Sequence, residues 1–499
     1  MSQDYPGTEG AQAYSRRWPA LFTLLLAGFM NLIDITIVNV ALPRLQVSLG
    51  ATSTEIEWMV AAYVLAFALG LLPFGRLGDV IGRKRMFLIG VGLFTLFSGF
   101  CGQASSMDML IAARVLQGLA GAMMMPQVLA ITQVMFPPQE RGFAFALFGL
   151  SAGLASVAGP LAGGLLIGAD LFGLDWRPIF LVNIPVGVLA VVAGRMLVPA
   201  LPPHPNLTID FGGVVIAGLS TLLLVFPLIE GHRFGWPVWT FVMITASVAG
   251  SIAFYFYEKR RHAAGKSELL PVSLMRNGNF VLGTVMTLTF FSGVAGFFLV
   301  LAVFLQTGFG LSPLQSGLTT VPFPLGVLIA SIVSAKLGSR WPRQRIAAGA
   351  ILLVVGMVIL RFVVGSVGEA VDHWRFVAPL FLSGLGMGAA IAPLFQTVLW
   401  TVPQRDAGSG SGALQSFQQI GSALGIAITG QIFFASLESR LASGTAAHPA
   451  FVDSMSGALL YEMAAFGVVA SMVFFLSPPA PRREAGHGAA ATSPAAVEA

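Results

Sequence analysis

The sequence predicts an all-α polytopic membrane protein with fourteen transmembrane helices. Three observations carry that expectation. Of the 499 residues, 56% are hydrophobic and only 10% charged, whereas a water-soluble surface takes about 25%. The apolar residues gather in runs that match the roughly 20 residues needed to cross a bilayer. The basic residues alternate from one side of these runs to the other.

The runs begin near Trp18, Glu57, Met86, Leu110, Phe143, Trp176, Phe211, Val238, Phe280, Pro313, Ile346, Phe376, Ser409 and Ala458. An even number puts both termini on one side. Twenty of the 27 Lys and Arg fall on that side, among them Arg16, Arg17, Arg76, Arg83, Lys84 and Arg85. Five fall on the other side (Arg44, Arg177, Arg233, Arg375 and Arg440), and Arg114 and Arg361 lie within runs. The positive-inside rule then expects a multi-pass protein of the inner or plasma membrane with both termini cytoplasmic. The net charge of +5, spread over many short loops, reads as topology and not as affinity for nucleic acid. Cys101 is the single cysteine, which excludes a disulfide framework, and the polar start runs into the first span without a cleavable signal.

Internal repetition organises the spans. Gly118 to Pro126, followed by Pro137, Arg141 and Gly142, is echoed by Gly384 to Pro393, followed by Pro403, Arg405 and Gly408. A fainter pair joins Arg76-Leu77-Gly78-Asp79 to Lys336-Leu337-Gly338-Ser339. The offset leaves room for two additional helices between the halves, a 6 + 2 + 6 plan. The expected parts are a cytoplasmic tail at 1–17 and a six-helix bundle at 18–198. Linkers with two further helices follow at 199–278, then a second bundle at 279–477 and a disordered cytoplasmic tail at 478–499.

Few polar residues interrupt the spans. Asp34 lies deep in the first, where an ionised carboxylate costs about 2.5–3.5 kcal/mol on insertion scales. A carboxyl taken out of water gains affinity for a proton, so Asp34 is a candidate proton carrier; a structural Asp bonded to nearby amides is the alternative. Arg114, in the fourth span, enters from the same side and is its natural partner; an Arg reaching out to the interface is the alternative. Gln117, Gly118 and Gly121 share its helical face. In the fifth span Gly149, Gly153, Ser156, Gly159 and Gly163 recur at steps of three and four, one smooth face for close packing, with Pro160 adding a bend.

Gln127, Gln306, Gln396, Gln415, Gln418 and Gln419 are amides that serve equally as ligand contacts or as interhelical bonds. Glu462 and Arg361 are expected at outer helix ends, in the interface, leaving the second half without a counterpart to Asp34. Between the second and third spans, Gly75 to Arg85 is expected as a short polar link. No phosphate-binding loop, metal-ligand spacing or nucleophile with its base is present, so nothing points to an enzyme.

These motifs resemble those of the major facilitator superfamily. Gly75 to Arg85 resembles its loop between helices two and three: Asp79, Gly82 and Arg83 match, while Gly78 and Val80 depart from the usual Ala and Arg. Leu110 to Gly121 resembles the fourth-helix motif through Arg114, Gln117 and Gly118. Ala155 to Gly164 is similar to the antiporter motif, carrying Gly159, Pro160, Gly163 and Gly164, with Ala155 in place of its first Gly. Asp34 to Pro43, Trp176 to Pro185 and Gln306 look like the fourteen-span drug:proton antiporters.

The resemblance implies a major facilitator fold of two six-helix bundles plus two central helices. It implies export of amphipathic small molecules in exchange for protons, driven by the proton gradient without a cofactor. Proton handling goes to Asp34 and Arg114, and state-dependent contacts between the halves to Gly75, Asp79, Gly82 and Arg83. Asn31, Gln117, Gln127, Gln306 and Gln396 are the candidate cavity residues. Protons, the bilayer and the small-molecule substrate are the expected partners, and a periplasmic adaptor is left open. A dedicated exporter of one metabolite or antibiotic is the alternative; a non-transporting sensor, for which no signalling domain is attached, is the remote one.

Overall fold

The computed structural model describes residues 14–170, 173–201, 207–231, 234–338, 340–368 and 370–476. The expected tail at 478–499 lies outside the described residues. The chain runs through α1 (Arg17–Leu49), α2 (Ser53–Ile81), α3 (Arg83–Gly102), α4 (Met107–Met135), α5 (Pro138–Gly168), α6 (Pro178–Leu181) and α7 (Asn183–Leu197). Next come α8 (Phe211–Glu230), α9 (Val238–Ala263) and the short α10 (Val272–Met275). The remainder is α11 (Gly278–Val303), α12 (Pro313–Thr320), α13 (Pro322–Leu337), α14 (Pro342–Gly365), α15 (His373–Trp400), α16 (Ala407–Ala442) and α17 (Ala447–Met472).

Helices are the physical necessity here, because a segment in lipid must satisfy its own backbone. Thirteen spans among the described residues are long and apolar enough to cross a membrane. The fifth expected run forms α5, whose 31 residues extend about 46 Å at 1.5 Å each. Every expected run is therefore helical, and the protein is a multi-pass membrane protein. Local signals set the ends. Thr52 and Glu55 close a reciprocal capping box at the start of α2, and Ser312 with Gln315 builds another at α12. Large apolar side chains such as Phe211, Val238 and Phe362, all more than 70% exposed, face outward toward lipid.

The helices form two bundles. In the first, α4 packs on α2 and α3, and α1 on α5 and α7; in the second, α15 packs on α13 and α14, and α16 on α11. The sequence repeat has a spatial counterpart. A Cβ on Gly118 of α4 would strike the Tyr63 carbonyl of α2, and one on Gly384 of α15 would strike the Phe323 carbonyl of α13. Of the additional pair, α8 lies against α2 and α16, one helix from each bundle, and α9 packs on α8. Trp236 in their connecting turn donates to Gln431 at 2.7 Å.

Two expectations about local structure change. The polar link at Gly75 to Arg85 is almost entirely helical: α2 continues to Ile81, α3 starts at Arg83, and only Gly82 stands between them. Its φ of 100° is open to glycine and strained for other residues. The glycines of α5 are also not one face. Gly149 and Gly153 meet Ile391 and Val327 of the second bundle, whereas Gly159 and Gly163 meet Thr36 and Ile37 of α1. At 3.6 residues per turn, positions ten apart differ by about 80° around the axis, so the stripe winds from one neighbour to another.

Candidate functional site

Two polar constellations among the described residues bear on the expected site. The first surrounds Asp34, the eighteenth residue of the 33 in α1. Its Oδ2 lies 2.5 Å from Arg114 Nη1 of α4. Its Oδ1 accepts from Gln117 Nε2 and Asn183 Nδ2, each at 2.9 Å. Ser98 Oγ accepts from both of the same amides, at 2.7 and 2.9 Å. Arg114 also donates to Gln117 Oε1 at 2.7 Å, and its guanidinium lies 4.0 Å from the centre of the Tyr63 ring. Tyr63 Oη in turn accepts from Asn31 Nδ2 at 2.6 Å.

Helical spacing explains why these side chains meet. Arg114 and Gln117 are three residues apart on α4 and project over the same turn. Gly118 and Gly121, just beyond, let α4 approach Tyr63, Phe67 and Asn31 without a side chain between. Asp34, Arg114, Gln117, Asn183, Ser98 and Tyr63 are all buried. Arg114 therefore does not reach out to the interface. The Asp34 carboxylate of this buried pair is met further by the Gln117 and Asn183 amides, and Arg114 by the Gln117 carbonyl and the Tyr63 ring. Arg114 Nε has no hydrogen-bond partner among the described residues.

The second constellation joins the bundles at the end where α2 hands over to α3, which we call the basic end. Asp79 lies in the last turn of α2. Its Oδ1 accepts the Gly408 amide proton and its Oδ2 that of Ser409, both at 2.9 Å. These amides belong to the first turn of α16, so Asp79 caps a helix of the opposite bundle. The residue in sequence position to do so, Asp406, makes no cap bond. It pairs instead with Arg76 at 2.9 Å and Arg405 at 3.0 Å. Arg83 bonds Asp79 at 2.8 Å and donates to the Gln404 carbonyl. Gly75 is required by closeness, since a Cβ would enter the Gly408 carbonyl. Gln133 to Leu399 at 2.5 Å and Ser411 to Pro126 at 2.8 Å add two more bonds across the bundles at this end.

The fainter repeat has no such carboxylate. Arg345 donates to the Gly338 carbonyl at 2.6 Å and to Ser334, folding its junction onto itself. Gly142 at the start of α5 rests on the Gly338 carbonyl. Among the described residues the first junction carries a buried ionic cluster across the bundles, and the second is held by Arg345 bonds and close backbone contact.

The remaining expected site residues disperse. Gln127 donates to the Phe74 carbonyl at 2.9 Å and lies against Gly78, beside the latch and away from Asp34. Gln306 sits in a π-helical turn, Phe304–Gly308, and donates to Ser316 at 3.4 Å. Gln396 of α15 is buried with neither amide atom hydrogen-bonded among the described residues. Gly159 and Gly163 seat α5 on α1 at Thr36 and Ile37, within a turn of Asp34, while nothing lies within 4 Å of a Cβ at Gly164. The Pro160 side chain lies outside the described residues. Sequence reasoning missed Ser98 and Tyr63, whose types are too common to signal a role. It counted Arg76 only as a topological charge, although that residue is 2% exposed.

The family model of the Major Facilitator Superfamily matches residues 24–426. The chain belongs to the Major Facilitator Superfamily. This facilitator is 39% identical over 94% of its length to a protein of Streptomyces coelicolor named "Probable actinorhodin transporter", covering 80% of that protein. It is 33% identical to the multidrug resistance protein Stp of Mycobacterium tuberculosis, over 84% of this chain and 77% of Stp. It is also 31% identical to the tetracenomycin C resistance and export protein of Streptomyces glaucescens, over 83% and 76% of the two chains. Among solved structures, the human organic anion transporter MFSD10 (TETRAN) superposes with a TM-score of 0.65 at 16% identity, covering 92% of this facilitator and 99% of that chain. The proton:xylose symporter XylE gives 0.62 at 13% identity, over 93% and 96%. At such identities the two structures establish the fold alone.

Proposed function

We propose that this protein exports amphipathic small molecules in exchange for protons, by rocking of its two bundles. The carrying observation is the buried Asp34–Arg114 pair. A carboxylate held out of water is neutralised by its guanidinium or by a proton, so any movement that parts the pair makes a proton the replacement. Gly159 and Gly163 seat α5 on α1 within a turn of Asp34, and a face about 80° around α5 carries Gly149 and Gly153 against the second bundle. A tilt of the second bundle on α5 therefore has a short mechanical route to the pair.

The excess of basic residues at one end supports placing that end in the cytoplasm. The latch of Gly75, Asp79, Gly82 and Arg83 then holds the cytoplasmic side closed, and its release admits cargo from within. One proton entering supplies about 2.3 kcal/mol per 100 mV and about 1.36 kcal/mol per pH unit, enough to sustain export against a gradient. The unbonded amide of Gln396 supports its reading as a cargo contact, as do the free Oδ1 of Asn31 and the position of Gln306 in an irregular turn. Gln127 fits support of the latch better.

The names of the relatives favour a second reading beside the first. A multidrug resistance protein and proteins named for single antibiotics stand at similar identity, so a dedicated exporter of one antibiotic is the competing assignment. Resistance profiling of an expressing strain separates them: protection against many unrelated dyes and drugs supports the first, protection against one compound the second. Proton coupling is tested by dye movement in vesicles under an imposed pH gradient. Asp34→Asn is expected to abolish gradient-driven movement and to spare exchange of labelled for unlabelled dye. Equal proton-driven rates in the variant and the unaltered protein would overturn the assignment.

A further inference from the structure

Glu462 was expected at an outer helix end, in the interface. It is instead the sixteenth of the 26 residues of α17 and has no exposed surface. Its Oε1 accepts from Thr429 Oγ1 of α16 at 2.9 Å. Its Oε2 has no hydrogen-bond partner among the described residues and lies over Gly293 of α11, 3.3 Å from where a Cβ would stand. The second bundle thus does contain a deeply buried acid, and its surroundings are the inverse of those around Asp34.

No cation faces it. Neither α11 nor the π-helical turn after it contains a titratable residue. On α16 the titratable residues are Glu438 and Arg440, near its far end, and Arg440 pairs with Asp453 of α17 at 2.5 Å. On α14, Arg361 donates to the Ser456 carbonyl, six residues from Glu462 along α17. Arg343 and Arg345 lie at the other end of α14, bonded to the Phe474 carbonyl and to Ser334 with Gly338. On α17 itself, Tyr461 donates to Ser292 Oγ at 3.0 Å and turns away from the carboxyl. A bare carboxylate here would have one donor and no counter-charge among the described residues, which burial in low dielectric does not sustain.

We infer that Glu462 is a second proton-binding group of the transport cycle, loaded while the basic end is latched. This rests on the proton-exchange reading proposed above. The link to the cycle is α16, a single helix of 36 residues. Its first turn is held by Asp79, and Thr429, about 30 Å further along at 1.5 Å per residue, holds Glu462. Gly421 and Gly425 bring α16 against the Leu288 and Ser292 carbonyls of α11, smooth contacts over which a helix can slide. Release of the α16 first turn carries Thr429 with it and opens the α16–α17 seam to water. The Glu462 O–H bond then breaks, the electron pair stays on the carboxylate, and the proton passes to water; relatching reverses the step.

The test reads conformation against pH without any cargo. Spin labels are placed on the exposed positions Val47 of α1 and Leu441 of α16 in full-length protein, in a Cys101→Ser background reconstituted in lipid. Their separation is measured as pH rises. Asp34 takes up a proton as its pair with Arg114 parts, opposing the release from Glu462, so the measurement is made in Asp34→Asn. That protein is expected to unlatch as pH rises with a steepness of about one proton. Glu462→Gln, which imitates the loaded acid, is expected to flatten the profile in the same background. Thr429→Val, which leaves the acid and removes its donor, is expected to move the transition to higher pH and keep its steepness. A profile in both variants identical to that of Asp34→Asn alone overturns the inference and leaves the Asp34 assignment standing. A flat profile in the unaltered protein that also persists in Asp34→Asn overturns both.

Discussion

Asp79 Oδ2 accepts the Ser409 amide proton at 2.9 Å, so a residue of α2 caps a helix that belongs to the other bundle. Asp406, adjacent to α16 in sequence, is held away from that task by Arg76 and Arg405. The contact between the bundles therefore includes a helix cap that neither bundle forms alone, reinforced by the positive end of the α16 dipole, and in the proposed cycle this cap belongs to the latch.

Replacing Asp79 by Asn removes the charge and leaves one acceptor for two amides. The latched state is expected to lose about 1–2 kcal/mol, about a tenfold shift toward the unlatched form. Distance measurements between labels on the two bundles check this, with Asp79→Glu expected to fare no better because its longer arm misplaces both oxygens.

Arg76 and Asp406 form a buried pair, and removing one partner strands the other. Arg76→Ala is expected to weaken the latch by about 3 kcal/mol, less whatever Arg405 recovers, and Arg76→Ala with Asp406→Ala to weaken it less than the single change does. A double-mutant cycle on the same distance signal decides the sign of the coupling.

Arg114→Lys keeps the charge but loses the planar group that spans Asp34, Gln117 and the Tyr63 ring. Proton-driven transport is expected to fall by tenfold or more, about 1.4 kcal/mol, with unaltered amounts of folded protein in the membrane. Vesicle transport paired with size-exclusion chromatography measures both.

Gly159→Ala would drive a Cβ into Thr36 Oγ1, whereas Gly164→Ala meets nothing within 4 Å. The first is expected to destabilise by about 1–3 kcal/mol and the second to stay within about 0.5 kcal/mol of the parent. Thermal unfolding in detergent compares them.

Outside the membrane, the Glu55 carboxyl accepts from Thr52 N and Thr52 Oγ1, both at 2.8 Å, and these bonds hold it below the usual carboxylate range. A depressed value means that the first turn of α2 is supported at neutral pH and loses that support as pH falls through the folded value. Amide exchange near Thr52 is expected to quicken in acid, and Glu55→Gln to quicken it at neutral pH as well.

The candidate site was partly legible in the sequence. Asp34 and Arg114 stood out because charged residues are rare within apolar runs, and their overlapping depth suggested that they pair. Asn183 and Ser98, which complete the ring around Asp34, are ordinary polar residues whose direction depends on how α3 and α7 dock. Gln127 was legible as a buried amide but not as a neighbour of the latch.

By itself the sequence determined the fourteen helices, the sidedness of their charges, the repeat and the existence of an acid in α1, because hydropathy and helix length are local properties that lipid enforces span by span. Tertiary structure decided which polar groups lose their water. It carried α2 straight through Gly75 to Ile81, turned Arg76 and Arg83 inward to the opposite bundle, split the α5 glycines between two neighbours, and buried Glu462. Each of those outcomes depends on which helical face meets which partner, and that is fixed by packing between segments far apart in the chain.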